Sequence, residues 1–338
     1  MLQSIMIAPG KIVFHEVAKP ALKAEQVLIR VKNIGVCGSD VHVYHGLHPY
    51  TSYPVVQGHE VSGIISELGE LVQGFSEGDQ VVFMPQVTCG TCYPCRHEMY
   101  HICDSLKVMG FQIGGAAQEI IAIDAEKVLK VPHHVPSDQA AMVEPIAVAV
   151  HALSRGGEVK GKNVLVLGAG TIGNLVGQVA KALGARAVMI TEISEYKREQ
   201  ARQSGLDIIV DPAKDLNKAI LDHFGPDRAD LILECVGVQD TITQAVSIAR
   251  KGSTIVVVGV FGKKPQVDLG LVQDREISLV GTLMYQRGDY EKAIELVSKG
   301  QLTLEKMISR HYAFRQYMDA YRDIDLAKGN IMKVMIDL

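Results

Sequence analysis

Four cysteines crowd into one short loop as Cys89, Cys92, Cys95 and Cys103, in the spacing C-x2-C-x2-C-x7-C. Structural zinc wants four thiolate or imidazole ligands in a tetrahedron, and such a loop supplies three of them with Cys103 to close the cage. An iron–sulfur cluster is the rival, because C-x2-C-x2-C also opens the bacterial ferredoxin pattern. That pattern expects a nearer fourth cysteine followed by proline, and Cys103 is followed by Asp104. Four unrelated free thiols are the plain alternative, against which the metal-like spacing argues. A fifth cysteine, Cys37, stands apart within Gly35-Val-Cys-Gly-Ser-Asp40. His59 and Glu60, within Gly58-His-Glu-Val-Ser-Gly63, offer an imidazole and a carboxylate. Glu144 places a further carboxylate in the otherwise apolar Met142-Val-Glu-Pro-Ile-Ala147, where an unpaired charge would be costly. Taken singly these are a small buried thiol, a core histidine and salt-bridged acids. Together, beside glycines that permit close backbone approach, they read as an open metal site with a position free for water or substrate.

A second kind of chemistry is signalled by Gly168-Ala-Gly-Thr-Ile-Gly173. Gly-x-Gly-x-x-Gly alone is weak, but here it follows the apolar run Asn163-Val-Leu-Val-Leu167 and opens a segment with Ile172, Leu175, Val176, Val179 and Leu183 on one face. Gly168, Gly170 and Gly173 allow a tight turn, and Thr171 and Ile172 begin a helix whose N-terminus favours a pyrophosphate. An acid is expected about twenty residues on, to bind ribose hydroxyls. Glu192 occupies that place and would repel a 2′-phosphate, so NAD is expected over NADP. Lys197 and Arg198 read as a solvated helix face and keep NADP as the minor option.

The elements that must position these groups fall into two patterns. From Met1 to about Pro132, short β-rich runs such as 26–32 and 61–66 are punctuated by glycine and proline, an antiparallel barrel-like signature. An apolar helix is expected over 137–153, and from Gly161 strands and helices alternate. Candidate strands at 163–167, 187–191, 207–210, 229–233, 253–258 and 276–280 predict a six-stranded doubly wound sheet. Two amphipathic helices, 290–299 and 317–324, and an apolar strand at 331–336 follow. The expected divisions are 1–146 with a metal lobe at 89–103, then 147–283, then a segment 284–338 that returns to the first domain.

At 338 residues the chain favours two domains over one core. Its 34 basic and 38 acidic residues leave a net charge of -4 without long runs of one sign, which argues against nucleic acid as a partner. The start lacks the features of a secretory signal, and the most apolar stretch, interrupted by Glu144, Pro145 and His151, is too short and polar to span a bilayer. A cytoplasmic protein without a membrane partner is expected, in which clustered cysteines hold metal and do not pair.

Cys37-Gly-Ser-Asp40, Gly58-His-Glu60, the four-cysteine lobe, Glu144-Pro145 and the Gly168 turn occur in the order seen in zinc-dependent medium-chain dehydrogenases, which the chain resembles over nearly its whole length. Glu144 stands where classical alcohol dehydrogenases carry a third zinc-binding cysteine, which resembles the sorbitol dehydrogenase branch. The resemblance implies a GroES-like β-barrel catalytic domain and a Rossmann cofactor domain, an α/β architecture with two zinc ions per chain. It implies Cys37 and His59 as zinc ligands, with Glu60 and Glu144 completing the shell, one directly and the other through water. Asp40 would orient His59, and Ser39 and His42 match the family's proton relay, so the expected catalytic groups are Ser39, His42, Glu60 and Glu144. It also implies a homodimer or homotetramer formed through the edge of the nucleotide sheet, placed near Ser253 to Gly262.

Substrate is the thinnest inference. Tyr44, His45, His48, Tyr50 and Gln112 would suit a hydroxyl-rich ligand, or are ordinary loop residues. Sorbitol dehydrogenases contact substrate with an arginine–tyrosine pair, and here that stretch reads Met284-Tyr285, with Arg287 nearby as a candidate anchor for a carboxylate or phosphate. The segment Gly46 to Pro54 is similar to bacterial enzymes that oxidise hexonates. A secondary alcohol of a polyol or aldonate is expected first and a polyol phosphate second. Rivals are a zinc-free quinone reductase and a non-catalytic zinc and dinucleotide-binding protein.

Overall fold

The computed structural model describes Met1–Leu338. The chain divides into two compact units, Met1–Glu144 with Gln286–Lys299 and Ile308–Leu338, and Pro145–Tyr285 with Gly300–Met307. Gly300–Met307 groups with the second unit and not with the returning tail, because Gln178 accepts from the Thr303 backbone at 2.7 Å and donates to Met307 Sδ at 3.2 Å.

In the first unit the long strand Gln26–Val36 is the organiser. It pairs antiparallel with Glu60–Leu68, Ile120–Asp124 and the C-terminal strand Lys333–Asp337. Gly35 faces Glu60 on one side and Met335 on the other. A Cβ at Gly35 would run into the Glu60 carboxylate, so only glycine lets that acid lie against the strand. The core beneath includes Ile29, Ile34, Ile65, Phe83 and the rings of Tyr317 and Tyr321. Two helices, Ser137–Ala141 and Val143–Arg155, the latter mostly of the second unit, replace the single helix expected over 137–153, and the break falls at Met142.

The second unit is a six-stranded parallel sheet. Its spatial order is Ile208–Val210, Ala187–Thr191, Asn163–Leu167, Leu231–Glu234, Thr254–Val257 and Ser278–Gly281. The order reverses on either side of Asn163–Leu167, as in doubly wound sheets, and ligands bind at such a switch point beyond the carboxyl ends of the strands. One expectation is corrected here. Thr254–Val257 pairs on both sides, so residues 253–262 do not form the sheet edge; Ser278–Gly281 does. Each strand of the sheet's centre is buried on both faces, which is why 163–167 reads as a continuous apolar run. No helix is long and apolar enough to cross a membrane.

Candidate metal centres and dinucleotide turn

The Sγ atoms of Cys89, Cys92, Cys95 and Cys103 all lie within 4.8 Å of one another. Backbone amides point at the sulfurs: Cys89 N–H and Ser105 N–H reach Cys103 Sγ at 3.3 and 3.4 Å, and Cys92 N–H reaches Cys89 Sγ at 3.3 Å. Such donors stabilise thiolates. Hydrogen bonds from Thr91 and Cys92 lower the Cys89 thiol to about 6. Cys95, by contrast, is pushed up to about 12 by desolvation and by its neighbours Cys92 and Cys103. Cys89 thus gives up its proton readily while Cys95 holds its own, and a cation drawn in by the first would help strip the second, which is the chemistry of a closed zinc site.

The second cluster joins Cys37, His59 and Glu60, whose ligand atoms also lie within 4.8 Å of one another. Strand Gln26–Val36 delivers Cys37 to the start of helix Gly38–Tyr44. Asp40 secures that start, accepting from Cys37 N–H through Oδ2 at 2.9 Å. Its other oxygen stands 3.4 Å from His59 Nδ1. Burial alone would lower the pKa of His59, yet Asp40 and Cys37 hold it well above the ordinary imidazole value. The acids of this pocket therefore demand positive charge, and the ring nitrogen not turned to Asp40 is left to meet a metal. A divalent cation fits the donor set.

Glu60 carries a partner that its own neighbourhood in sequence does not reveal. Lys333 Nζ lies 2.7 and 2.6 Å from the two Glu60 oxygens and 3.2 Å from the Val36 carbonyl. Burial works against the Lys333 charge, but Glu60, Cys37 and Glu144 overcome it and raise its pKa. Glu144 is buried within electrostatic range of Lys333 but does not join the Cys37, His59 and Glu60 cluster. Ser39 is half-buried and His42 exposed on the same short helix that buries Asp40, Val43 and Tyr44.

Several residues nominated for substrate serve other ends. Tyr44 is buried with its ring stacked on Tyr321 at 4.7 Å, so it belongs to the core. His45 pairs with Asp325 at 2.9 Å, Gln112 accepts from Val108 N–H, and Tyr50 is exposed. His48 is half-buried and stacks on Phe111 at 4.8 Å, and Phe111 in turn lies 4.9 Å from the His59 ring. Arg287 spends its guanidinium on Glu291 and the Glu126 carbonyl. Tyr285 is fully buried.

In the second unit, Gly168 adopts φ +95°, and a Cβ on Gly173 would strike the Gly168 carbonyl. Helix Thr171–Ala182 begins immediately after Gly170, with Thr171 and Ile172 half-buried in its first turn. Glu192 follows strand Ala187–Thr191, and its carboxylate accepts from Ala169 N–H at 3.0 Å and from Ser194 N–H at 2.9 Å. The acid thus braces the glycine turn itself. Arg198 is corrected from solvated to structural: its guanidinium donates to the carbonyls of Glu192 and Ile193 and pairs with Glu195 and Asp211, at 12% side-chain exposure.

Residues 23–133 match the alcohol dehydrogenase GroES-like domain and residues 171–299 the zinc-binding dehydrogenase domain. A 2-dehydro-3-deoxy-L-galactonate 5-dehydrogenase of Pseudoalteromonas atlantica is 35% identical over 90% of this chain and 89% of its own. The chain belongs to the zinc-binding medium-chain dehydrogenases. This dehydrogenase is also 33% identical to a sorbitol dehydrogenase of Halalkalibacterium halodurans, over 97% of this chain and 96% of that one. The crystal structure of galactitol-1-phosphate dehydrogenase from Escherichia coli superposes with a TM-score of 0.92 at 28% identity, covering 100% of both chains. The dehydrogenase is therefore an oxidoreductase with a GroES-like domain and a Rossmann-type parallel sheet.

Proposed function

We propose that the protein is a zinc-dependent, NAD-linked dehydrogenase that oxidises a secondary alcohol of a polyol or sugar acid. The observation that carries this is the cluster of half-buried Cys37 with buried His59 and Glu60 beside Lys333. Cys37, His59 and Glu60, with Glu144 in reserve, would hold one zinc, and the four cysteines the other. When bound, the catalytic zinc supplies a Lewis acid that lowers the pKa of an alcohol, and NAD supplies the hydride acceptor. Asp40 orients His59. Ser39 and His42, one helical turn apart, carry the alcohol proton outward, with the exposed imidazole exchanging it with solvent. Glu192 and the glycine turn hold the adenosine end of NAD. Arg198 is bound by carbonyls and carboxylates, which leaves it a poor partner for a 2′-phosphate and supports NAD over NADP.

The sugar-acid and sorbitol dehydrogenases among the relatives support the substrate class, and the galactitol-1-phosphate enzyme supports a polyol phosphate as the second reading. A homo-oligomer formed along the edge strand Ser278–Gly281, where Leu279 and Leu283 are exposed, completes the proposal. The test is a panel of aldonates, polyols, polyol phosphates and primary alcohols with NAD and NADP, together with zinc analysis. About two zinc per chain, turnover on a sugar-derived alcohol, and loss of that turnover in Cys37→Ser are expected. Preference for primary alcohols, or full activity in metal-loaded Cys37→Ser, refutes it.

A further inference from the structure

The C-terminal helix Tyr317–Leu326 carries a fully buried tyrosine, Tyr321, that is linked to the metal cluster through Gln57 and Asp40. Tyr321 donates its hydroxyl to Gln57 Oε1 at 2.6 Å. Gln57, itself buried, turns its Nε2 to the Asp40 carbonyl and to Asp40 Oδ1, each at 3.3 Å. Asp40 Oδ1 stands 3.4 Å from His59 Nδ1, and Oδ2 takes the Cys37 N–H. An amide has one donating and one accepting end, and Asp40 offers Gln57 only acceptors. A phenol that donates to the far end therefore fixes the amide in the one orientation that supports the carboxylate. Chains of buried hydrogen bonds act as a unit, and the groups behind a metal's ligands tune its affinity.

We propose that Tyr321, acting through Gln57, is a positioning residue for the metal site, holding Asp40 in the place from which it orients both His59 and Cys37. This rests on the reading that Cys37, His59 and Glu60 bind zinc. The Tyr321 ring is held independently by stacking on Tyr44, 4.7 Å away with the rings 4° from parallel, and by the Tyr317 edge. Tyr321→Phe thus removes the hydroxyl and leaves the packing in place.

The experiment follows zinc transfer from the holoenzyme to a chromophoric chelator. The catalytic site is assigned by its absence in Cys37→Ser, and the four-cysteine site serves as the internal reference. Tyr321→Phe is expected to weaken the catalytic site about tenfold, at the low end of what partners behind the ligands contribute, and to leave the cysteine site unchanged. Gln57→Glu, which sets a carboxylate against Asp40, should weaken it further. Tyr321→Phe added to Gln57→Leu should cost nothing more than Gln57→Leu alone, because the phenol acts through the amide. Unchanged catalytic-site affinity in Tyr321→Phe, equal weakening of both sites, or additive losses in the double variant overturn the proposal. Zinc held only by the cysteines in the parent protein instead overturns the metal assignment on which it rests.

Discussion

Lys333 and Glu60 form an ion pair whose side chains are 3% and 1% exposed, with the ammonium touching both carboxylate oxygens and the Val36 carbonyl. Lys333→Met keeps the length and packing of the side chain and removes the charge. Taking one partner from a buried pair leaves the other uncompensated and costs about 3–5 kcal/mol. In a unit of this size each kcal/mol corresponds to roughly 2–4 °C, so the metal-free variant should melt roughly 6–20 °C below its parent. A zinc ion at Cys37 and His59 offers Glu60 a replacement cation, so the loss should shrink when zinc is bound. The chain contains no tryptophan, and urea unfolding can be followed by tyrosine emission, since Tyr317 and Tyr321 are buried beside this site. Adding Glu60→Gln to Lys333→Met should restore most of the lost stability, because no buried charge then remains unpaired. A metal-free Lys333→Met protein within about 1 kcal/mol of the parent would show that Glu60 does not depend on Lys333, whereas an equal loss with and without zinc would show that the two cations do not substitute for one another.

Glu192→Ala removes an acceptor from two backbone amides as well as the ribose contact proposed for it. It should raise the KM for NAD by about tenfold or more, a loss of at least about 1.4 kcal/mol, and narrow the preference over NADP; unchanged steady-state kinetics with both cofactors would exclude that role. Gly173→Ala forces a methyl group against the Gly168 carbonyl, with an overpacking cost of about 1–3 kcal/mol. Calorimetric titration should show NAD affinity falling while zinc content stays constant, and unaltered affinity would argue against the tight turn. Cys92→Ser should lose one zinc per chain and lower thermal stability, yet keep its kcat per folded, catalytic-site-loaded molecule at low temperature; a selective loss of kcat would mean the cysteine lobe takes part in the chemistry.

The parts of the site that could be read from sequence are those whose partners are close along the chain. Four cysteines within one loop and three glycines within one turn declare themselves by spacing, because the geometry that joins them is local. Cys37 and the pair His59 and Glu60 are legible for a related reason: each sits in its own glycine-flanked segment, and two adjacent strands carry the segments together. Residue type misled where burial overrode it. Tyr44 is polar by type but stacks in the core, and Arg198 is charged by type but spends its donors on carbonyls. The inner place of Thr254–Val257 is illegible in the sequence for a third reason, since the lateral order of strands in a parallel sheet leaves no mark on any one strand.

The C-terminal contribution was hidden by distance, and its signal was of a different kind. Lys333 opens the strand that continues Val334, Met335 and Ile336, all buried. A charge at the head of such a run needs a partner, and that rule could have singled it out. What the rule cannot supply is the identity of the partner, which is fixed by register: Val334 pairs with Val36 and Gly35 pairs with Glu60 across one central strand. Tyr321 and Gln57 lack even that signal, since a buried tyrosine and a buried glutamine are ordinary wherever each finds one hydrogen bond. The last thirty or so residues of the chain thus supply both a cation for Glu60 and a hydroxyl for Gln57. A truncation that removes the strand Lys333–Asp337 should therefore impair zinc binding at Cys37 and His59 while sparing the four-cysteine cage, and equal retention of both metals would break that link.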